Sequence, residues 1–186
     1  MRRAAQVISV TVVLALLGLL VWDLAHSTGG VSRDVDSGKW VLAPNFTRPR
    51  VDTDGTLSLA SLRGKVVVLN FWQSYCAPCT HEAPTLARAA KDWEDKNVVF
   101  LGIDVQDLRG PARAFLERFE ITYPSVSDGG PLVGRYGVTG YPETFFIDRR
   151  GFIVPRSHIV GPVTREDLDQ GIRRALRSKG QEAEET

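Results

Sequence analysis

Two cysteines are present in the 186 residues, and they stand three apart as Cys76-Ala77-Pro78-Cys79. A thiolate, not a thiol, attacks a disulfide, and a free cysteine with a pKa of about 8.5 is mostly protonated at neutral pH. A pair built for exchange therefore needs a setting that favours the thiolate on one sulfur. It also needs a second sulfur close enough to resolve the mixed disulfide. The spacing places Cys79 one helical turn beyond Cys76, within that reach. A disulfide closed over so short a loop constrains the unfolded chain little, so stapling is a poor reason for it. A structural zinc site usually takes four ligands, and the other candidates, His26, His81 and His158, are scattered. The pair thus points to thiol–disulfide exchange, with Cys76 as nucleophile, Cys79 as resolving thiol, and neither metal nor cofactor.

The elements around the pair support that chemistry. Val66 to Trp72 is a continuous apolar run of the kind a buried parallel strand shows. Behind the cysteines, Leu86, Ala89, Ala90 and Trp93 recur at helical spacing, in a helix expected to run to about Lys96 with Pro84 bending it. The pair then sits where a strand ends and a helix begins, the crevice in which open α/β sheets place their chemistry. At a helix N-terminus, unpaired N–H groups and the positive end of the dipole lower the pKa of Cys76. Pro78 fits the first turn, where its missing N–H costs nothing.

Further along, Val98 to Ile103 is a second apolar strand, and Pro111 opens a helix with Ala112, Phe115, Leu116 and Phe119 on one face. Tyr123 to Val126 reads as a short strand, and Leu132 to Tyr136 as one helical turn. Thr144 to Asp148 is a strand that Arg149-Arg150-Gly151 turns back through Phe152-Ile153-Val154 to His158-Ile159-Val160. Thr164 to Asp167 has the form of a capping box ahead of Leu168, Ile172, Ala175 and Leu176. Upstream, Asp54-Gly55 is a hairpin signal between Val51 and Leu57-Ser58-Leu59. The order βαβ then ββα on one mixed sheet gives an α/β class with a thioredoxin-like arrangement.

Three neighbours of the pair are candidates for function. Glu82 follows Cys79 by three residues and shares its helical face. It is either a proton carrier for Cys79 or a solvated first-turn acid. Pro142 precedes a strand, and a cis Tyr141–Pro142 bond would expose the Tyr141 backbone to an extended partner; the sequence leaves the isomer open. Trp72 and Tyr75 flank the cysteines and either join the core or rim a docking face, Trp72 leaning to the first and Tyr75 to the second. With Ala77, Pro78 and Tyr141 they form the candidate client-binding set. His81 and His158 read as surface polar residues.

Composition bounds the rest. A 43% hydrophobic, 24% charged chain of net charge +1 is an ordinary globular domain without the electrostatic footprint of a nucleic-acid binder. Residues 4–22 carry no charge and follow Arg2 and Arg3. As a helix they would span about 28 Å, close to a bilayer core of about 30 Å. Residues 1–25 are therefore expected to be an uncleaved signal anchor with its arginines in the cytoplasm, the alternative being a cleaved signal peptide. The catalytic domain would then lie outside, where disulfide chemistry is permitted. Residues 26–39 read as a flexible tether, 40–177 as the folded domain, and the polar run 178–186 as a disordered tail.

The chain from Asn70 to Cys79, with Glu82 and Pro84, and the segment Gly137 to Asp148 resemble the TlpA/ResA/CcmG (DsbE) group of thioredoxin-like proteins. Ala43-Pro44-Asn45-Phe46 and Leu62-Arg63-Gly64-Lys65 match that group too, and the resemblance spans about 40 to 176. It implies a cis Pro142 lying against the cysteines and Tyr141 main-chain contacts to the client. It also implies that Glu82 is the active-site acid, in place of the buried aspartate that ordinary thioredoxins carry at the position of Asn70. Asp104 to Tyr123 matches the group's αβ insertion. Tyr75 departs from the pattern, standing where the group usually has Trp.

By the same resemblance the protein would be a membrane-tethered reductant of disulfides outside the cytoplasm. Its client would be the haem-binding Cys-x-x-Cys-His of apocytochrome c, and its electrons would come from a thiol-transferring membrane protein. The alternatives are an oxidase that forms disulfides in exported proteins and a Cu(I) chaperone using Cys76, Cys79 and His158. Peroxidase activity is a third.

Overall fold

The computed structural model describes residues 11–22 and 30–178. Its centre is β4 (Val66–Trp72), every residue of which is buried. Such a strand must be covered on both faces, and its alternation divides two cores. Val66 and Val68 join Leu86, Ala89, Phe146, Leu168 and Ile172 on one face. Val67, Leu69 and Phe71 join Leu101, Ile103, Leu132, Tyr136 and Phe145 on the other.

Around β4 runs a mixed sheet in the order β1 (Val41–Leu42), β8 (Phe152–Ile153), β7 (Glu143–Ile147), β4, β5 (Val98–Val105), β6 (Ser125–Asp128). The β4–β5 and β5–β6 pairs are parallel, and β7 is antiparallel to β4. β9 (Ile159–Val160) pairs with the start of β7. Two strands, β2 (Thr47–Pro49) and β3 (Thr56–Ser58), make the hairpin expected around Asp54-Gly55.

The helix after the cysteines, α3 (Ala77–Trp93), continues through Pro84, and the turn Glu94–Lys96 completes it. Its neighbour α6 (Arg165–Arg177) starts at the anticipated capping box: Thr164 and Asp167 bond each other's backbone N–H. Gly171 lets α6 lie close, since a Cβ there would meet the Phe146 ring at 2.4 Å. The insertion supplies α4 (Arg109–Arg118), and Pro131–Tyr136 forms α5.

Two expectations about the N-terminal region change. Ser32–Asp36, inside the stretch read as a tether, is a helix (α2) rather than free chain. The Gly, Ser and Asp content hid one apolar side chain, Val35, which is fully buried in the core. Around it, Val31 N donates to Arg135 O (3.2 Å), Arg156 N to Val35 O (2.9 Å), and Ser32 Oγ to Gly137 O (3.0 Å). The folded domain therefore begins near residue 30, not at Trp40. Of the expected anchor, residues 11–22 are helical (α1), and their large apolar side chains are exposed. Among the described residues no helix is long and apolar enough to cross a membrane. The rest of the anchor, the tether as far as residue 29, and the tail beyond Ser178 lie outside the described residues.

Candidate redox site

Chain geometry at the end of β4 delivers the pair as the spacing predicts. Cys76 is the N-cap of α3, in extended conformation, and Pro78 lies in the first turn. Cys76 and Cys79 form a disulfide. The Cys79 N–H points at Cys76 Sγ (3.2 Å), the placement that stabilises a thiolate once the bond opens. Burial separates the two sulfurs: Cys79 is 1% exposed, whereas Cys76 is half-buried. Only Cys76 is open to a client, and Cys79 is reached from the inside.

The Tyr141–Pro142 bond is cis, the isomer the resemblance implies. The Tyr141 carbonyl oxygen lies 3.4 Å from Cys76 Sγ, so this loop forms the wall facing the reactive sulfur. Pro142 is buried and Tyr141 half-buried, while Tyr75, Ala77 and Pro78 are exposed on the rim. Trp72 is not part of that rim. Its ring is buried and stacks on Phe115 of α4 at 4.5 Å, because β4 carries it to the insertion side of the sheet. It therefore supports the site from beneath rather than touching a client.

Glu82 is 2% exposed and is not a solvated first-turn acid. Asn70 Nδ2 donates to its Oε1 (2.8 Å) and Val163 N to its Oε2 (2.9 Å). Burial raises its pKa against those two hydrogen bonds, to about 7. The carboxyl thus exchanges a proton near neutral pH, which a general acid–base requires. Cys79 and Glu82 line one small cavity together with Asn70 and Tyr123, with room for about one water. The inner cysteine and the carboxyl thus border one common space.

Three acidic side chains near the site escape a reading by spacing alone. Glu143, directly after Pro142, is fully buried. It pairs with His158 Nε2 at 2.7 Å. His158 is a correction, since its side chain is 4% exposed and stacks on Phe145 at 4.3 Å. Both its ring nitrogens face carboxylates, Glu143 on one side and Asp36 on the other, so neither is free to help the cysteines hold Cu(I). Asp104 sits in β5 with both carboxylate oxygens unpartnered among the described residues. Burial, then the charge of Asp107, pushes its pKa to about 7. Asp107 in turn accepts the Ser74 N–H (2.8 Å) and so pins the loop ahead of Cys76. A charge closing the apolar run of β5, and an acid beside Pro142, are the sequence signals for Asp104 and Glu143.

Residues 41–156 match the AhpC/TSA family. The chain belongs to that family. It is 29% identical over 171 residues to the thiol-disulfide oxidoreductase ResA of Bacillus anthracis, covering 91% of this chain and 95% of that one. Among solved structures it resembles a thiol:disulfide interchange protein of Chlorobium tepidum TLS, at 30% identity and a TM-score of 0.66 over 74% of this chain and 97% of the other. It also resembles a secreted Mycobacterium tuberculosis disulfide oxidoreductase homologous to E. coli DsbE, at 25% identity and a TM-score of 0.61, covering 69% and 94%. With a thioredoxin-like fold and a Cys-x-x-Cys disulfide at the head of a helix, this AhpC/TSA member is a thiol–disulfide oxidoreductase.

Proposed function

We propose that this oxidoreductase works as a reductase of specific protein disulfides, tethered to the membrane with its catalytic domain outside the cytoplasm. Its proposed client is the Cys-x-x-Cys-His disulfide of apocytochrome c. The observation that carries the reading is the division of labour between the sulfurs: an accessible Cys76 under the Tyr141 carbonyl, and a buried Cys79 beside an acid with a pKa of about 7. The uncharged span 4–22 behind Arg2 and Arg3, helical where it is described, supports the tether.

In the reducing direction, the Cys76 thiolate attacks one client sulfur. The client S–S bond breaks, and its other sulfur leaves as a thiolate that takes a proton. Glu82 accepts the Cys79 proton, and the Cys79 thiolate attacks Cys76 Sγ. That closes the Cys76–Cys79 disulfide and expels the second client sulfur as a thiolate, which takes a proton as Glu82 gives up the one it accepted. Two electrons and two protons from a dithiol donor in the membrane restore the pair.

Cys79→Ser stops this sequence after the first step, so the full chain should accumulate mixed disulfides through Cys76 in cells. Identification of apocytochrome c among them tests the client, and an absence of trapped protein rejects the resolving role of Cys79. The equilibrium potential of the pair tests direction. A value near that of thioredoxin, about −270 mV, fits the reductase, whereas one near that of DsbA, about −120 mV, would make the protein an oxidase.

A further inference from the structure

The loop that faces Cys76 is held by a chain of charged groups that begins on helix α2, outside the β-α-β units that build the redox site. Glu143 Oε1 accepts three hydrogen bonds from the residues just ahead of Tyr141: Thr139 N (2.8 Å), Thr139 Oγ1 (2.8 Å) and Gly140 N (3.0 Å). Its other oxygen faces His158 Nε2 at 2.7 Å. His158 Nδ1 lies 3.2 Å from Oδ2 of Asp36, the last residue of α2. A neutral imidazole has one N–H and serves one carboxylate; an imidazolium serves both.

The same helix reaches the loop by a second route. Ser32 Oγ donates to Gly137 O (3.0 Å), two residues before Thr139. Gly30 packs so closely on Gly137 that a Cβ there would meet its N at 2.1 Å. Val35 anchors the helix in the core. Pro142 on the far side of the loop is tied as well, its carbonyl accepting Gly161 N (2.9 Å).

We propose that Asp36, His158 and Glu143 are positioning residues that hold Thr139–Tyr141 in its client-receiving conformation, so that α2 sets client affinity from outside the redox motif. This rests on the thiol-exchange reading, in which the client lies along the Tyr141 main chain. Burial lowers the His158 pKa, but hydrogen bonds and charge from Glu143 on β7 and Asp36 on α2 outweigh it and raise the net value above 6.5. A raised imidazole pKa means the clamp is complete below that value and lost as pH rises through it. Client affinity should fall over the same window.

The test uses the full chain, a synthetic Cys-x-x-Cys-His peptide disulfide, and amide hydrogen exchange at Thr139 and Gly140. Asp36→Asn sits at an exposed position and should leave folding intact. It should speed exchange of both amides and raise the peptide KM by about threefold while kcat changes little, with Asp36→Glu restoring both. His158→Gln should act in the same direction by about tenfold and abolish the pH dependence of KM. Wild-type exchange rates and KM in Asp36→Asn would overturn the proposal. If the wild type reduces no peptide, the proposed reductase function fails on its own, and the two amides still decide whether the chain of charges holds the loop.

Discussion

Glu82 and Glu143 are both buried glutamates in the elements that frame the cysteines, yet their surroundings set them to opposite tasks. Adjacent residues on a strand face opposite sides of the sheet. Asn70 and Thr144 pair across β4 and β7, as do Phe71 and Glu143. Asn70 turns toward α3 and donates to both Glu82 and Thr144, while Glu143 turns toward the face where His158 stacks on Phe145. On the α3 face the carboxyl has only neutral donors, and burial wins: its pKa rises to about 7. On the other face burial also opposes the charge. There the hydrogen bonds from His158 and Thr139, with the His158 charge, prevail and hold the Glu143 pKa below 4.5. Exclusion from solvent alone therefore does not decide the chemistry. A carboxyl with neutral partners is ready to move a proton; one with a cation and three loop donors is fixed as an anion and can anchor a loop.

Breaking the fixed side should cost the most stability. Glu143→Ala removes the acceptor for Thr139 N, Thr139 Oγ1 and Gly140 N and leaves His158 buried with only Asp36. Loss of one partner from a buried pair costs about 3–5 kcal/mol. For a domain of this size that is a fall in Tm of about 10 °C. The pH dependence has two edges. The depressed Glu143 pKa contributes stability above the unfolded value of 4.5 that is lost as pH falls through the folded value. The raised His158 pKa contributes stability below 6.5 that is lost as pH rises through its folded value. Thermal melts from pH 3 to 9 should show both edges in the wild type and smaller ones in Glu143→Ala, where Asp36 still faces His158 and Glu82 still titrates. A variant that melts like the wild type would mean that the loop is held by other contacts.

The comparison also marks what can be read from residues in order. Helical spacing is local, so Cys76, Cys79 and Glu82 could be placed along one face of α3 from their numbers, and Val66 to Trp72 announced the central strand. The capping box at Thr164 and the turn at Asp54-Gly55 are equally short-range signals. The burial that raises the Glu82 pKa was not legible, because Val163, 81 positions away, supplies one of its two donors. The Asp36–His158 contact spans 122 positions and joins a stretch that reads as a polar tether to a histidine that reads as a surface residue. Trp72 could be assigned to core or rim by type alone; the stack on Phe115 depends on how the αβ insertion folds back over the sheet. Pairings across the sheet carry the missing information, and period and spacing are blind to them.

On the α3 face, Glu82→Gln sharpens the comparison with a smaller change. The amide keeps the size of the side chain but neither ionises nor takes the Cys79 proton. Resolution of mixed disulfides should slow by about 10²-fold, the usual size of a general-base contribution. The rate should also lose the inflection near pH 7 expected of the wild type, which stopped-flow thiol exchange from pH 5 to 9 measures. Stability moves the other way. Because the folded pKa of Glu82 lies above 4.5, the wild type is penalised progressively as pH rises from 4.5 to about 7 and uniformly above that. Gln escapes that charge burial, a gain of about 3 kcal/mol at pH 8, offset by any mismatch between its NH₂ group and the two donors it faces, and no such gain at pH 4. Slower exchange together with higher stability at alkaline pH is the signature of a carboxyl kept for its proton rather than for its contacts. A variant that is slower and also less stable at every pH would instead place Glu82 with Glu143, as an anion that holds structure.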